Sequence, residues 1–521
     1  MDAAHHHQEP PRGRGGYRRL VNNPRLLLSA FFLSLVFFTF GFDGSVGGGI
    51  LAMAPFVQQF AIKKTPEGIP YLTATDISIL TALPSTGCLL GLPLAAALGD
   101  RIGRKKTLLI GCAISAVGAA IQTSAFGIAQ MVVGRWIANV AIFIFIVMAS
   151  TFLAEIAPEN LRGSIVGLSI VLIDSAGVLS AGVNWAVSTN STPLAYRLPL
   201  GLQIAFAVVI AAGILFLDDS PTFYMTKSRD EDALRSLRRV RRGYTEAEVE
   251  AEFSALKSQA ALREAEQEVN WQEMFRGTNL RRTLLALSIG NMQQLSGIAF
   301  ATNYVTIFLA GVGVSTSPFL LTLVVAVLAL AGAVTGMFLV DAVGRRPLAL
   351  STFSAVFVID LVIGVLGFQD YQSRPAIAKA IAAFSCIFAF FFACGFGPLT
   401  YVVASEIPTA RLRNKTSAFS FLCLACFSTV VVYVLPYISQ PDAGNLGAKT
   451  YLIFAGWMAG CILLTYIYLP ETKGRTPAEL DVMFEARVPA RKFASYIPNV
   501  SIESSLKETK ADVGVLEVEH S

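Results

Sequence analysis

Gly99-Asp100-Arg101-Ile102-Gly103-Arg104-Lys105 and Val340-Asp341-Ala342-Val343-Gly344-Arg345-Arg346 are one pattern written twice, 241 residues apart. A second pair repeats at nearly the same offset, 251. Glu155-Ile-Ala-Pro-Glu-Asn-Leu161-Arg162 matches Glu406-Ile-Pro-Thr-Ala-Arg-Leu412-Arg413. Two different motifs recurring in order at one period mark a duplicated architecture, so the chain reads as two related halves.

Working outward from these motifs, each lies at the end of a long apolar run. Runs of about 20 apolar residues, enough to cross about 30 Å of hydrocarbon, fall near 27–50, 77–98, 107–126, 129–152, 163–187 and 199–217. A second set falls near 282–310, 317–340, 347–368, 378–404, 415–437 and 450–469. With 54% hydrophobic and 15% charged residues over 521 positions, against about 25% charged in soluble domains, a soluble globule is excluded. The expected fold is an all-α membrane protein of 12 transmembrane helices. Its sections are an N-tail (1–26), a six-helix bundle (27–217), a linker of short cytoplasmic helices (218–281), a second six-helix bundle (282–469) and a C-tail (470–521).

Positive charge alternates sides. Arg12, Arg14, Arg18, Arg19 and Arg25, then Arg101, Arg104, Lys105 and Lys106, the linker, Arg345 and Arg346, and Arg411, Arg413 and Lys415 share one side. The intervening loops carry few such residues, with Lys63, Lys64, Arg197, Arg374 and Lys449 among them. The positive-inside rule therefore places both termini and the linker in the cytoplasm. The N-tail lacks a signal-peptide cleavage pattern, so the first span is expected to stay inserted. The linker arginines Arg235, Arg238, Arg239, Arg241 and Arg242, interleaved with Ala233, Leu234, Leu237 and Val240, fit surface helices meeting lipid headgroups or acidic partners in the same protein rather than nucleic acid. After Phe484 the tail is polar and is expected to be disordered.

His5, His6 and His7 sit in a polar tail and are assigned no role. All seven cysteines lie within the apolar runs and read as packing residues. Cys423-x-x-Cys426 lacks the second ligand pair a zinc site needs. No cofactor is expected, and no nucleophile stands beside a base, so the chain is not read as an enzyme. Asn190-Ser191-Thr192 is a glycosylation sequon in a loop expected outside.

An ionisable residue inside a span is a functional candidate by default. Asp43 lies in Gly41-Phe42-Asp43-Gly44-Ser45-Val46-Gly47-Gly48-Gly49, whose glycines permit close packing or local unwinding, and Arg135 opens the fourth span. Facing each other, they are either a proton switch, opened when the acid is protonated, or a static buried pair. The residues alone do not choose. Asp174 in the fifth span and Asp360 in the ninth have no evident partner; Asp174 can face a central cavity, while Asp360 is expected to pack beside a polar neighbour. Polyhydroxyl ligands need amides, hydroxyls and aromatic faces. The seventh span offers Gln293, Gln294, Asn303 and Tyr304, and the tenth offers Tyr401 after a Gly395–Pro398 break. Helix–helix hydrogen bonding is the competing reading of those groups.

In order along the chain, Gly99–Lys105, Gly134-Arg135, Gln293-Gln294-Leu-Ser296-Gly297, Pro470-Glu471-Thr472-Lys473-Gly474 and the degraded Asp218-Asp219-Ser220-Pro221 resemble the sugar porter family of the major facilitator superfamily, over roughly residues 25–490. Glu406–Thr416, Tyr196–Pro199 and Phe484–Phe493 resemble its fungal branch that includes α-glucoside permeases. The resemblance implies a monomeric, proton-coupled importer of a sugar in the plasma membrane. Asp43 would be the proton carrier, Arg135 its partner, and Gln293, Gln294, Asn303, Tyr304 and Tyr401 the sugar site. The pairs Asp100–Arg104, Glu155–Arg162, Asp341–Arg345 and Glu406–Arg413 would gate the inner face, beside a role in topology.

Departures from the family pattern are Ile170 for a glutamine, Ala299 for an asparagine and Thr400-Tyr401 for Pro-Trp. They argue against an ordinary glucose carrier and leave a disaccharide, pentose, polyol or sugar acid open. The rival functions are an uncoupled facilitator and a sugar receptor with a transporter fold. A long C-terminal extension is the usual mark of the receptor, and only about 40 residues follow the last motif.

Overall fold

The structure, a computed structural model, describes residues 23–157, 162–242, 244–265, 270–409 and 411–496. Among them, eleven helices are long and apolar enough to cross a membrane. They are Pro24–Ile50, Ala74–Ile102, Arg104–Thr123, Ile128–Ile156, the fifth within Arg162–Val187, Leu194–Leu215, Pro318–Ala342, Arg345–Leu366, Pro375–Glu406, the eleventh within Arg413–Ser439, and Gly447–Tyr468. The twelfth crossing is the seventh in order. It escapes that tally because it is broken into Gly277–Gln294, Ile298–Thr302 and Val305–Val312. The chain thus has the major facilitator fold of 12 helices.

The break in the seventh span has a local cause. Gly297 takes φ +83°, a left-handed conformation that disfavours any side chain. The Ser296 hydroxyl donates to the Gln293 carbonyl at 2.7 Å, satisfying backbone that the helix has released. The tenth span, expected to break at Gly395–Pro398, is instead one helix from Pro375 to Glu406. Its irregular residues serve packing: Phe396 stacks on Phe353 with ring centroids 4.0 Å apart, and Gly395 admits Thr352 of the ninth span. The first span likewise does not unwind at its glycine run. A Cβ at Gly47 would stand 2.5 Å from the Arg135 guanidinium, and one at Gly48 would stand 2.6 Å from the Asn303 carbonyl oxygen. The glycines are therefore used for close approach.

Gly103 and Gly344 carry φ +96° and +106° at the starts of the third and ninth spans, so the repeat seen in sequence is also a repeat of backbone geometry.

The halves touch at the face away from the linker. There the Asp442 carboxylate accepts from the Ala74 N–H at 2.9 Å, and Ser78 donates to the Tyr433 carbonyl at 2.8 Å. The Thr81 and Tyr304 hydroxyls are 2.6 Å apart. The fifth span meets the eighth there too, Gly182 beside Leu323. A two-residue β-ladder, Lys63–Lys64 against Pro70–Tyr71, closes the loop between the first two spans.

The linker forms Pro221–Thr226, Asp230–Val240, Glu246–Ala265 and the 3₁₀ turn Trp271–Phe275. Ala233, Leu237 and Val240 are buried, and Arg241 reaches Glu252 at 2.7 Å and the Ile156 carbonyl at 2.7 Å. Arg239 pairs with Asp218 at 2.6 Å and Arg238 with Glu246, so these arginines find acidic partners in the chain itself.

The expected disorder after Phe484 is corrected as far as Tyr496. Val488, Ala490 and Phe493 are buried, Phe493 packs edge-on against Phe484, and Arg475 donates to the carbonyls of Phe493, Ala494 and Tyr496. Three apolar residues without helical period still dock when a neighbouring surface is there to receive them. His5, His6 and His7, the rest of the N-tail before Asn23, and 497–521 lie outside the described residues.

Candidate transport site and its gates

In the N-terminal half, the first, fourth and sixth spans bring four polar side chains together in an apolar bundle. Asp43 and Arg135 are 5% and 8% exposed, with Oδ2 and Nη2 3.9 Å apart. Asp43 also accepts from Asn139 Nδ2 at 3.3 Å and from Gln203 Nε2 at 3.2 Å. Gln203 in turn accepts from Gln122 of the third span at 2.9 Å. A small void beside Asp43 is lined by Thr39, Ser115, Gln203 and Phe206. At 3.9 Å the ion pair is at the edge of contact, and neutral amides supply the shorter bonds.

Asn139, Gln203 and Gln122 went unread in the sequence. Neutral amides inside spans raise no charge alarm, although Asn139 is one turn from Arg135 on the same helix face.

The C-terminal half carries the other candidates. Gln293 Oε1 accepts from the Thr400 hydroxyl at 3.3 Å, joining the seventh and tenth spans, and Gln294 is largely buried. Tyr401 is 38% exposed, its ring tilted against Phe421 of the eleventh span. Asn303 sits where Gly48 of the first span meets the broken seventh. Tyr304 is placed differently. It is buried, and its hydroxyl is engaged by Thr81 and by the Val432 carbonyl at 2.7 Å, so in this state it belongs to the seam between halves. Val432 stands four residues before Pro436, which has no N–H to give it. The phenol supplies the missing donor.

At the linker face the expected pairs rearrange. Arg104 lies 3.9 Å from Asp100, but its shorter partner is Glu155 at 3.0 Å. Arg345 lies 3.2 Å from Asp341 and 2.7 Å from Glu406. Glu406 also accepts from Thr472 at 2.6 Å. The expected Glu406–Arg413 pair is not formed among the described residues, because the start of the ninth span brings Arg345 closer. The side chain of Arg162, expected to pair with Glu155, lies outside the described residues.

Two further carboxylates complete the repeat. Asp219 Oδ1 accepts from the backbone N–H groups of Arg104 and Lys105 at 3.1 and 3.2 Å, capping the third span. Glu471 accepts from those of Arg345 and Arg346 at 3.0 Å each, capping the ninth. Burial pushes the Asp219 carboxyl up, against the opposing pull of those N–H donors and Arg104. The sequence signal was available: Asp219 and Glu471 are 252 residues apart, one residue from the offset of the Glu155 and Glu406 motif.

Asp360 is fully buried in the ninth span; its two oxygens are sealed and without a hydrogen-bond partner among the described residues, and the Tyr451 phenol stands within reach of its charge. Five cysteines are buried and Cys426 is exposed. No group of three or more potential metal ligands occurs among the described residues.

The family model described as "Sugar (and other) transporter" matches residues 29–484. The chain belongs to that family. It is 28% identical over 488 residues to the major facilitator-type transporter ecdD of Aspergillus rugulosus, covering 91% of this chain and 90% of the relative. It is 26% identical over 473 residues to the hexose transporter HXT10 of Saccharomyces cerevisiae, covering 89% and 86%. It is also 27% identical to the high glucose sensor RGT2 of the same yeast, of which the match covers 61%. Among solved structures, a partially occluded inward-open form of the xylose transporter XylE from E. coli aligns with a TM-score of 0.71 at 20% identity, over 87% of this chain and all of that one.

Proposed function

We propose that this transporter carries a mono- or disaccharide across the plasma membrane in symport with a proton, by alternating access. The observation that carries the reading is Asp43 held by Arg135, Asn139 and Gln203 inside an otherwise apolar bundle. Protonating Asp43 removes the attraction across 3.9 Å and leaves Arg135, which lies against Gly47, free to shift relative to the first span. Because that span also touches the seventh at Gly48, a change there is felt at the substrate path.

Sugar is supported by the hexose transporters among the relatives and by the amide, hydroxyl and aromatic groups Gln293, Gln294, Thr400 and Tyr401 of the seventh and tenth spans. The linker face, rich in Arg and Lys, is the cytoplasmic one. On that assignment the closed seam lies on the outer side. The carrier works as a monomer in the lipid bilayer.

The test is uptake in a transporter-null yeast with and without collapse of the proton gradient. Wild type should accumulate one neutral sugar against its gradient, whereas Asp43→Asn should reach only equilibrium. Accumulation that survives both treatments refutes proton coupling at Asp43. A protein that reaches the plasma membrane and moves no sugar favours the receptor reading, which the similarity to a high glucose sensor keeps in view.

A further inference from the structure

Asp43 stands at the end of a one-way chain of amides. A carboxylate paired with Arg135 only accepts hydrogen bonds, so Gln203 turns its Nε2 to Asp43 Oδ1, at 3.2 Å. That leaves Gln203 Oε1 toward the third span, where Gln122 Nε2 donates to it at 2.9 Å. Gln122 is fully buried, and its own Oε1 has no hydrogen-bond partner among the described residues. A sealed, unpaired acceptor is destabilising, yet turning the Gln122 amide over would only set its Oε1 against Gln203 Oε1. The direction of the chain is therefore imposed at Asp43, and the penalty falls on Gln122. Gln122 is also a firm anchor. A Cβ at Gly134, next to Arg135, would stand 2.6 Å from the Gln122 backbone nitrogen, and one at Gly118 would stand 2.5 Å from that of Ala138, so the third and fourth spans are closely packed where Gln122 sits. Gln203, by contrast, borders the void beside Asp43, which leaves an unheld amide room to turn.

We infer that Gln122 is a positioning residue for proton coupling: it holds the Gln203 amide with its donor toward Asp43, and so sets the proton concentration at which Asp43 is loaded. A hydrogen bond donated to a carboxylate favours its charged form. Without Gln122, the Gln203 amide can turn and present Oε1, which accepts from a protonated acid instead. The ionisable groups at this depth on the spans packed against the first are few. Arg135 is in contact with Asp43, Asp174 of the fifth span follows the Ile173 carbonyl that meets Gly41, and the Tyr304 phenol of the seventh faces Thr81 and Val432. Cys112, on the third span one turn before Ser115, packs in the apolar core. The inference rests on the reading of Asp43 as the proton carrier and adds a residue that acts on it through another.

The experiment is uptake of the neutral sugar that wild type carries, over a series of external pH values in the transporter-null yeast, normalised to surface abundance. Gln122→Met keeps the size of the side chain and removes its donor. It should lower the proton concentration for half-maximal uptake about 2- to 12-fold, the worth of one neutral hydrogen bond, with the sugar KM at saturating proton concentration within about twofold of wild type. In a Gln203→Met background the same substitution should change that proton concentration by less than about twofold, because Gln122 acts through Gln203. A Gln122→Met profile superimposable on wild type overturns the inference, as do additive effects in the double variant, which a packing role predicts. If Gln122→Met fails to reach the surface, Gln122→Asn decides. One methylene shorter, its amide falls short of Gln203 and should move the profile in the same direction, and an unmoved profile overturns the inference. Wild-type uptake that ignores external pH overturns proton coupling at Asp43, and this inference with it; pH-dependent wild-type uptake beside an unmoved variant overturns this inference alone.

Discussion

Replacing Tyr304 with phenylalanine separates two roles that predict opposite changes in one number. The phenol oxygen is 2.6 Å from the Thr81 hydroxyl, and that contact joins the C-terminal half to the N-terminal half. Its second bond, to the Val432 carbonyl at 2.7 Å, stays within the C-terminal half. Only the first is broken when the outer seam opens, so only the first biases the equilibrium between inward- and outward-facing states. A neutral hydrogen bond is worth about 0.5–1.5 kcal/mol net, which is about a 2- to 12-fold change in that equilibrium. The apparent affinity of a state-selective ligand scales with the fraction of protein in the competent state. Tyr304→Phe should therefore lower the half-saturating concentration for uptake by about 2- to 12-fold.

Thr81→Val removes the same bond from the other side and should act in the same direction. The double variant should add little to either single one, because the two residues share one interaction. The assay is initial-rate uptake over a range of sugar concentrations, normalised to surface abundance. A half-saturating concentration that rises in Tyr304→Phe, or additive effects in the double variant, would refute the seam assignment. The rise is what a direct sugar contact by Tyr304 predicts.

Two further substitutions test the packing and the caps. Gly47→Ala puts a methyl group 2.5 Å from the Arg135 guanidinium and should reduce accumulation sharply in the same uptake assay, whereas Gly44→Ala, whose Cβ meets nothing within 4 Å, should be silent. Asp219→Ala and Glu471→Ala each uncover two backbone N–H groups at a helix start, and each should cost about 0.5–2 kcal/mol, read as a lower melting temperature of the purified protein in detergent; unchanged melting in both would refute the capping role.

The sequence alone determined the number of crossings, the duplication and the positions of the motifs. Hydrocarbon thickness fixes how long an apolar run must be, and a repeat is visible wherever two motifs share an offset. It also marked Asp43, Arg135 and Asp174, since a charge inside an apolar run stands out whatever surrounds it.

Only the tertiary structure decided which groups meet. Glu155 and Glu406 were matched in sequence to the arginines seven residues on, yet in space Glu155 pairs with Arg104 and Glu406 with Arg345. Glycines at 47–49 and a proline at 398 are compatible with either a broken or a continuous helix. The neighbour that needs close approach chose the continuous one in both cases, while Gly297 broke the seventh span. Tyr304 is a sugar-type side chain by composition and a seam residue by position, because a proline 132 residues further on leaves a carbonyl that its hydroxyl can reach. Spacing along a chain reports which face of its own helix a residue occupies, but the partner on that face is set by how the helices pack against one another.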